Sequence, residues 1–368
     1  MRSNIRATRP PDFILFLTVL ILLSIGVVMV FSASEYAALV RYHDSFYFFK
    51  RQFFYALLGI AGMLFFLNYD CQNFKRLAVP LLGISFLLLV IVFIPGVGHT
   101  SHGAQRWIDI GPVTFQPSEI IKFGIVVFTA YGLSRQRHTV KSFRGLLLYL
   151  VVAGLAGTLI LMQPDLGTAI TLIGTVFIML FSAGGSLWTL GSVGLIGIAA
   201  VGAAIYFEPY RMRRFLAFIN PWKDPLGSGF HIIQSLYALG SGGLFGMGLG
   251  QGKQKFLYLP EQHTDFIFAV IGEELGLIGT VLVVTLFLIF IWRGLRIALH
   301  TSDTFSSLLA AGITAGIGLQ AFINIGVVTG SLPITGIPLP FISFGGTSLV
   351  FTLAAVGVLL NISRQTTR

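Results

Sequence analysis

The sequence predicts an all-α, polytopic membrane protein. About ten transmembrane helices form one domain over residues 1–368, with a large extracellular loop, 208–264, before the eighth span. Three observations predict it. Only 10% of residues are charged and 55% are hydrophobic, where a soluble domain carries about 25% charged residues. Ten stretches are apolar over roughly the length that a bilayer needs. Lys and Arg crowd into alternate connections, as the positive-inside rule requires.

The first stretch, 12–33, follows MRSNIRATRPPD, a flank like that of a signal peptide. Its apolar run is long and no small-residue cleavage site follows, so a retained first span is expected. The next stretches are 48–67 and 77–95. The fourth, 117–134, opens on Gln116-Pro117-Ser118, a helix start with Pro in its first turn. Stretches 145–162, 166–183 and 187–207 stand close together, and QPDLGTA (163–169) puts Asp165 where it can cap the helix after it. The last three are 265–292, 305–328 and 343–362. With both termini in the cytoplasm, the inner segments hold 13 basic residues against Asp12, Asp70 and Asp303. This is the pattern of a multi-pass protein of a bacterial cytoplasmic membrane.

Three outer loops are unusual: 96–116, 208–264 and 329–345. The second resists the charge rule, because it carries Arg211, Arg213, Arg214, Lys223, Lys253 and Lys255. Between them, 230–250 is apolar, rich in glycine and too broken for a span, so a re-entrant or interfacial segment is expected. Basic groups beside apolar surface suit an amphiphile with an anionic head; plain attraction to lipid headgroups is the competing role. Nucleic acid is excluded as a partner by the lack of a binding fold. The third loop lies in TGSLPITGIPLPFISFGGTSLV (329–350), where Pro333, Pro338 and Pro340 forbid a continuous helix. Ser343, Thr347 and Ser348 are placed to line a polar cavity there. Cys71 is the single cysteine, so no internal disulfide forms.

The chain has only 14 carboxylates. Five lie in or at the edge of the membrane, where an ionisable group is costly and by default marks a function. Glu119 stands three residues from Lys122, on one helix face, as a structural ion pair. Glu273 and Glu274 point about 100° apart on a helix, and neither is a candidate for catalysis. Asp265 differs, because it sits where a polar loop meets a span. There it can be partly desolvated yet open to substrate, which raises a carboxylate towards the range of a useful base. A simple helix cap is its competing role.

Several stretches together resemble the SEDS family (shape, elongation, division and sporulation): HGAQRWIDIG (102–111), QPSEIIKF (116–123), QPDLGTA, the run 224–276 and TGIPLPFISFGGTS (335–348). The run 224–276 is closer to the division and sporulation branch. Phe344 and Thr347 depart from the Tyr and Ser usual in relatives. The resemblance implies a peptidoglycan glycosyltransferase that polymerises lipid II, working with a class B penicillin-binding protein and other divisome or sporulation membrane proteins. It places the essential aspartate on Asp265 and the family's Glu–Lys pair on Glu119 and Lys122. Candidate substrate contacts are Arg106, Lys122, Arg213, Arg214, Gln234, Lys255, His263, Ser343, Thr347 and Ser348. The departing diphosphate calls for Arg, Lys or a divalent cation, Mg or Mn; no organic cofactor is expected. A lipid II flippase and a non-catalytic scaffold of the synthesis complex are the alternatives.

Overall fold

The computed structural model describes residues 10–101, 104–110, 113–135, 142–253 and 259–366. Every apolar stretch expected to span is helical. In chain order the helices are α1 (Phe13–Tyr42), α2 (Tyr47–Asn68), α3 (Phe74–Ile91), α4 (Pro117–Arg135), α5 (Phe143–Met162), α6 (Leu166–Ser182) and α7 (Leu187–Tyr206). The short α8 (Pro209–Ile219) and α9 (Phe230–Ser241) precede α10 (Ile267–His300), α11 (Thr304–Val328) and α12 (Thr347–Ser363). Among the described residues seven helices are long and apolar enough to cross a membrane: α1, α2, α3 with the turn before it, α5, α7, α10 and α11. Helices α6 and α12 are apolar but only 17 residues each. Helix α4 carries Glu119, Lys122 and Arg135 within 19 residues.

One outer loop departs from the all-α expectation. Three short strands pair there as an antiparallel meander, β1 (Gly98–Ser101), β2 (Ala104–Ile110) and β3 (Val113–Phe115). Its strands are too short for a period-2 pattern to stand out in the sequence.

Helix α11 is the most buried span and α7 lies at the edge, burying only Leu190. At the end where α1 starts and α12 finishes, Asp12 caps α1 by accepting from Leu15 N at 2.9 Å. The same carboxylate pairs with Arg293 of α10, and the Asp12 N–H donates to Ser363 Oγ of α12 at 3.0 Å. Three elements far apart in sequence are fastened there.

Helix α10 is broken. Gly276 takes φ 67° and ψ −161°, which interrupts the helical ladder inside an apolar bundle. The glycine-rich segment expected to be re-entrant makes good the loss. It starts as α9 and then lays residues 242–250 into the break. Met247 N donates to Glu273 O at 2.9 Å and Gly248 N to Glu274 O at 3.0 Å. In return Leu277 N donates to Gly243 O at 2.9 Å and Ile278 N to Leu244 O at 3.2 Å. Irregular backbone at membrane depth is tolerated when protein satisfies it in this way. The Glu273 carboxylate holds the segment's far side, accepting from Lys253 N at 2.7 Å, and Glu274 accepts from Ser32 of α1.

Gly276 has a positive φ, and a Cβ added to it would run into the backbone of Gly246 and Leu244. We expect Gly276→Ala to cost about 1–3 kcal/mol through strain and to lower the melting temperature in detergent. Gly154→Ala on α5, where a Cβ meets nothing within 4 Å, serves as the control. Equal melting of the two variants would show that the break bears no such constraint.

Candidate active site

At the bundle end opposite to the Asp12–Arg293 pair, a loop leads from Leu259 into α10. Glu261, at φ 51°, turns it, and its carbonyl accepts from Thr264 N at 3.2 Å and Phe266 N at 3.1 Å. The Glu261 carboxylate accepts from Thr264 Oγ1 at 2.8 Å. Asp265 follows. It does not cap α10, whose N-cap residue is Phe266 with no side-chain cap bond. Among the described residues none donates a hydrogen bond to the Asp265 carboxylate. Burial pushes this carboxyl up to about 7; Glu261 and Asp165 add to the rise, while Arg214 and Arg106 hold it back. Four charged groups from four parts of the chain thus meet electrostatically around one carboxylate.

The other wall is the loop 335–346. Two of its residues are Pro338 and Pro340, which have no N–H, so its carbonyls need donors from elsewhere. Amide side chains supply them. Gln52 Nε2 of α2 donates to Ser343 O at 3.3 Å, and Gln320 Nε2 of α11 to Pro338 O at 2.9 Å. Asn324 Nδ2, one turn further along α11, donates to both Ile337 O and Asp265 O, each at 2.7 Å. Ser343 Oγ donates to Thr264 O at 2.6 Å and accepts from Leu339 N at 2.8 Å. The Phe344 N–H donates to His263 O at 2.9 Å.

The side chains singled out in the sequence fare differently. Ser343 is occupied by its own loop and by Thr264 of the loop before α10, and with Ser348 it borders a cavity of about 10 Å³, room for about one water. Thr347 is buried, and its hydroxyl has no partner. His263 is walled by Phe48 at 4.4 Å and Phe344 at 5.9 Å between ring centroids. Burial pushes its imidazole down to about 4, with Arg41 adding and Glu261 opposing, so it is neutral at physiological pH.

Arg106, on β2, donates through Nε to Gln163 O at 2.8 Å and through Nη2 to Pro164 O, and stands 3.8 Å from Asp165. It therefore fastens the meander to the QPD turn while facing the site. Asp165 caps α6 through Thr168 N at 3.0 Å. Arg211 is likewise tied down, donating to Ala204 O at 3.1 Å and Leu161 O at 2.9 Å. Arg214 lies over the Tyr210 ring at 4.4 Å and Arg213 is exposed. Gln234 is half-buried on α9, and Lys255 lies outside the described residues.

Glu119 and Lys122 pair at 2.9 Å on α4, and Lys122 Nζ also donates to Gln320 Oε1 at 3.0 Å. They border a cavity of about 70 Å³ between α4, α6, α11 and α12. Sequence reasoning followed the carboxylates and so missed Gln52, Gln320 and Asn324. The signal was present: a primary amide in an otherwise apolar span is a polar group at a cost.

Comparison with known proteins agrees with this architecture. Residues 13–368 match the family described as cell cycle protein, the FtsW, RodA and SpoVE group. Stage V sporulation protein E of Bacillus subtilis (strain 168) is 49% identical over 355 residues, 96% of this chain and 97% of that protein. A probable peptidoglycan glycosyltransferase FtsW of Geobacter sp. (strain M18) is 46% identical over the same shares of both chains. A solved chain from a peptidoglycan synthase complex, studied for its coordination of polymerization and crosslinking, superposes with a TM-score of 0.80. It is 31% identical, and the match covers 96% of this chain and 98% of that one.

The Glu119–Lys122 pair is mostly buried, with side chains 6% and 20% exposed. Breaking such a pair typically costs about 3–5 kcal/mol. Glu119→Gln and Lys122→Met should each melt lower, and the exchange of the two residues should recover part of the loss. Unchanged melting in both single variants would remove the pair from the list of what holds α4.

Proposed function

We infer the chemistry from membership: this chain belongs to the FtsW, RodA and SpoVE family of cell cycle proteins. It is a multi-pass membrane protein and a peptidoglycan glycosyltransferase of cell-wall synthesis in division or sporulation. The substrate is lipid II, polymerised on the outer face of the cytoplasmic membrane. The distribution of Lys and Arg supports that orientation, with both termini inside.

Asp265 is the general base. The acceptor sugar's 4-hydroxyl attacks the anomeric carbon of the donor; the new C–O bond forms as the bond to undecaprenyl diphosphate breaks. The hydroxyl proton passes to the Asp265 carboxylate, and the configuration inverts because the displacement is direct. A positioned base is worth about 10²–10⁴-fold. The observation that carries this reading is a carboxylate with no hydrogen bond from a described residue, raised to about 7 and faced by Arg214 and Arg106. Carboxylates that serve structure look different here, since Asp12 and Asp165 both accept backbone N–H bonds.

The departing diphosphate is negative and draws on the same arginines, with Arg213 and Lys255 as further contacts. Among the described residues no three His, Cys, Asp or Glu side chains stand together that could hold the expected magnesium or manganese ion. A class B penicillin-binding protein is the proposed partner. The likeness to a chain from a complex that both polymerises and crosslinks supports it.

Purified protein, with its transpeptidase partner, should convert labelled lipid II to polymer, and Asp265→Asn should abolish the product while the protein still inserts. The base works deprotonated, so kcat/KM should rise with pH and level off above about 7, falling tenfold per unit well below it. Polymer made by Asp265→Asn at a near wild-type rate would sink the assignment.

A further inference from the structure

We propose that Asn324 and Gln320 are positioning residues, which hold Asp265 in place through its main chain and couple it to the Glu119–Lys122 pair. The proposal rests on the reading of Asp265 as the base. A carboxylate that no described side chain or N–H holds must be aimed by its backbone. The groups that fix that backbone are few. Ser343 Oγ holds the carbonyl before it, at Thr264, and Asn324 Nδ2 holds the Asp265 carbonyl itself.

The chemistry explains why an amide stands there. Helix α11 spends its own N–H groups on its own ladder, so it cannot donate to a neighbouring loop from its backbone. A primary amide carries two hydrogens on one nitrogen. Asn324 directs both at carbonyls of different loops, Asp265 O and Ile337 O, each at 2.7 Å. One nitrogen thereby sets the distance between the loop with the base and the loop 335–346. Its Oδ1, however, is buried with no partner. An apolar side chain of similar volume would leave no orphaned acceptor, so the two donors are what the amide adds.

Gln320, four residues earlier on α11, uses both ends. Its Oε1 accepts from Lys122 Nζ at 3.0 Å and its Nε2 donates to Pro338 O at 2.9 Å. Ile337 and Pro338 share a peptide bond. The path therefore runs from Glu119 through Lys122, Gln320, the carbonyls of Pro338 and its neighbour Ile337, and Asn324 to the Asp265 carbonyl. Lys122 thus acts on the base at a distance, through the loop, besides steadying α4.

The test uses the full chain with its partner and labelled lipid II. Asn361 gives a matched control: its Nδ2 donates to Leu67 O at 2.7 Å and its Oδ1 is also buried without a partner, at the opposite end of the bundle. Asn324→Leu should lose roughly 10–100-fold in kcat, the scale of a small misplacement at a reacting group, with KM unchanged. Asn361→Leu should keep kcat. Asn324→Asp is the second variant, nearly isosteric but with an acceptor in place of the donor, and should lose kcat alike. Lys122→Met and Gln320→Met should combine to less than the product of their separate losses, as expected of one path. Wild-type kcat in either Asn324 variant, or equal losses at Asn324 and Asn361, would overturn the proposal; independent losses at Lys122 and Gln320 would overturn the coupling. Asp265→Asn in the same assay reports on the base separately.

Discussion

Backbone groups inside an apolar bundle cannot turn to water, and the structure is organised around that constraint. A helix satisfies itself, so the helices are no difficulty. The difficulty arises where function needs backbone that is not helical. Two such places are the break in α10 at Gly276 and the proline-rich loop 335–346. Each is repaired by a different device. The break is filled by another stretch of backbone, residues 242–250, whose glycines allow the close approach. The loop cannot be repaired that way, because its prolines remove donors and its carbonyls face helices. Amide side chains from α2 and α11 do the work instead.

The same demand disposes of most of the charge. Asp12, Asp165 and Asp303 accept N–H bonds at helix starts. Glu273 and Glu274 receive a loop N–H and a serine. Arg106 and Arg211 are spent largely on carbonyls. Each of these carboxylates has a hydrogen bond of its own. Asp265 is set apart by the absence of one among the described residues, in surroundings that disfavour its charge. Burial and Glu261 push it up; Arg214 and Arg106 stop the rise at about 7, where it can both accept a proton and be ready to do so at working pH.

The arginines consequently have two parts. Arg106 fastens the meander to the QPD turn and also lends its charge to the carboxylate beyond. A group pinned by carbonyls is pre-organised: it need not be ordered when an anionic leaving group develops.

The sequence alone determined where the apolar spans lie, singled out Asp265 as the candidate base and read Asp165 as a helix cap. Each is a local property. Bilayer-length apolarity is read from about twenty neighbours; Asp265 at a loop–helix junction and Asp165 after a Pro are read from a handful. The tertiary structure decided everything that needs a partner far along the chain. Gly276 reads as one more glycine in an apolar helix until residues 242–250 are seen beside it. Arg106 and Arg211 read as free cations until carbonyls 50 or more residues away are found against them. Asn324 reads as a polar residue in a span until the loops of Asp265 and Ile337 close on it. Hydrophobic pattern tells a helix which face to bury but not which neighbour will meet it. That choice belongs to the packing of the bundle, and with it the placing of Asp265.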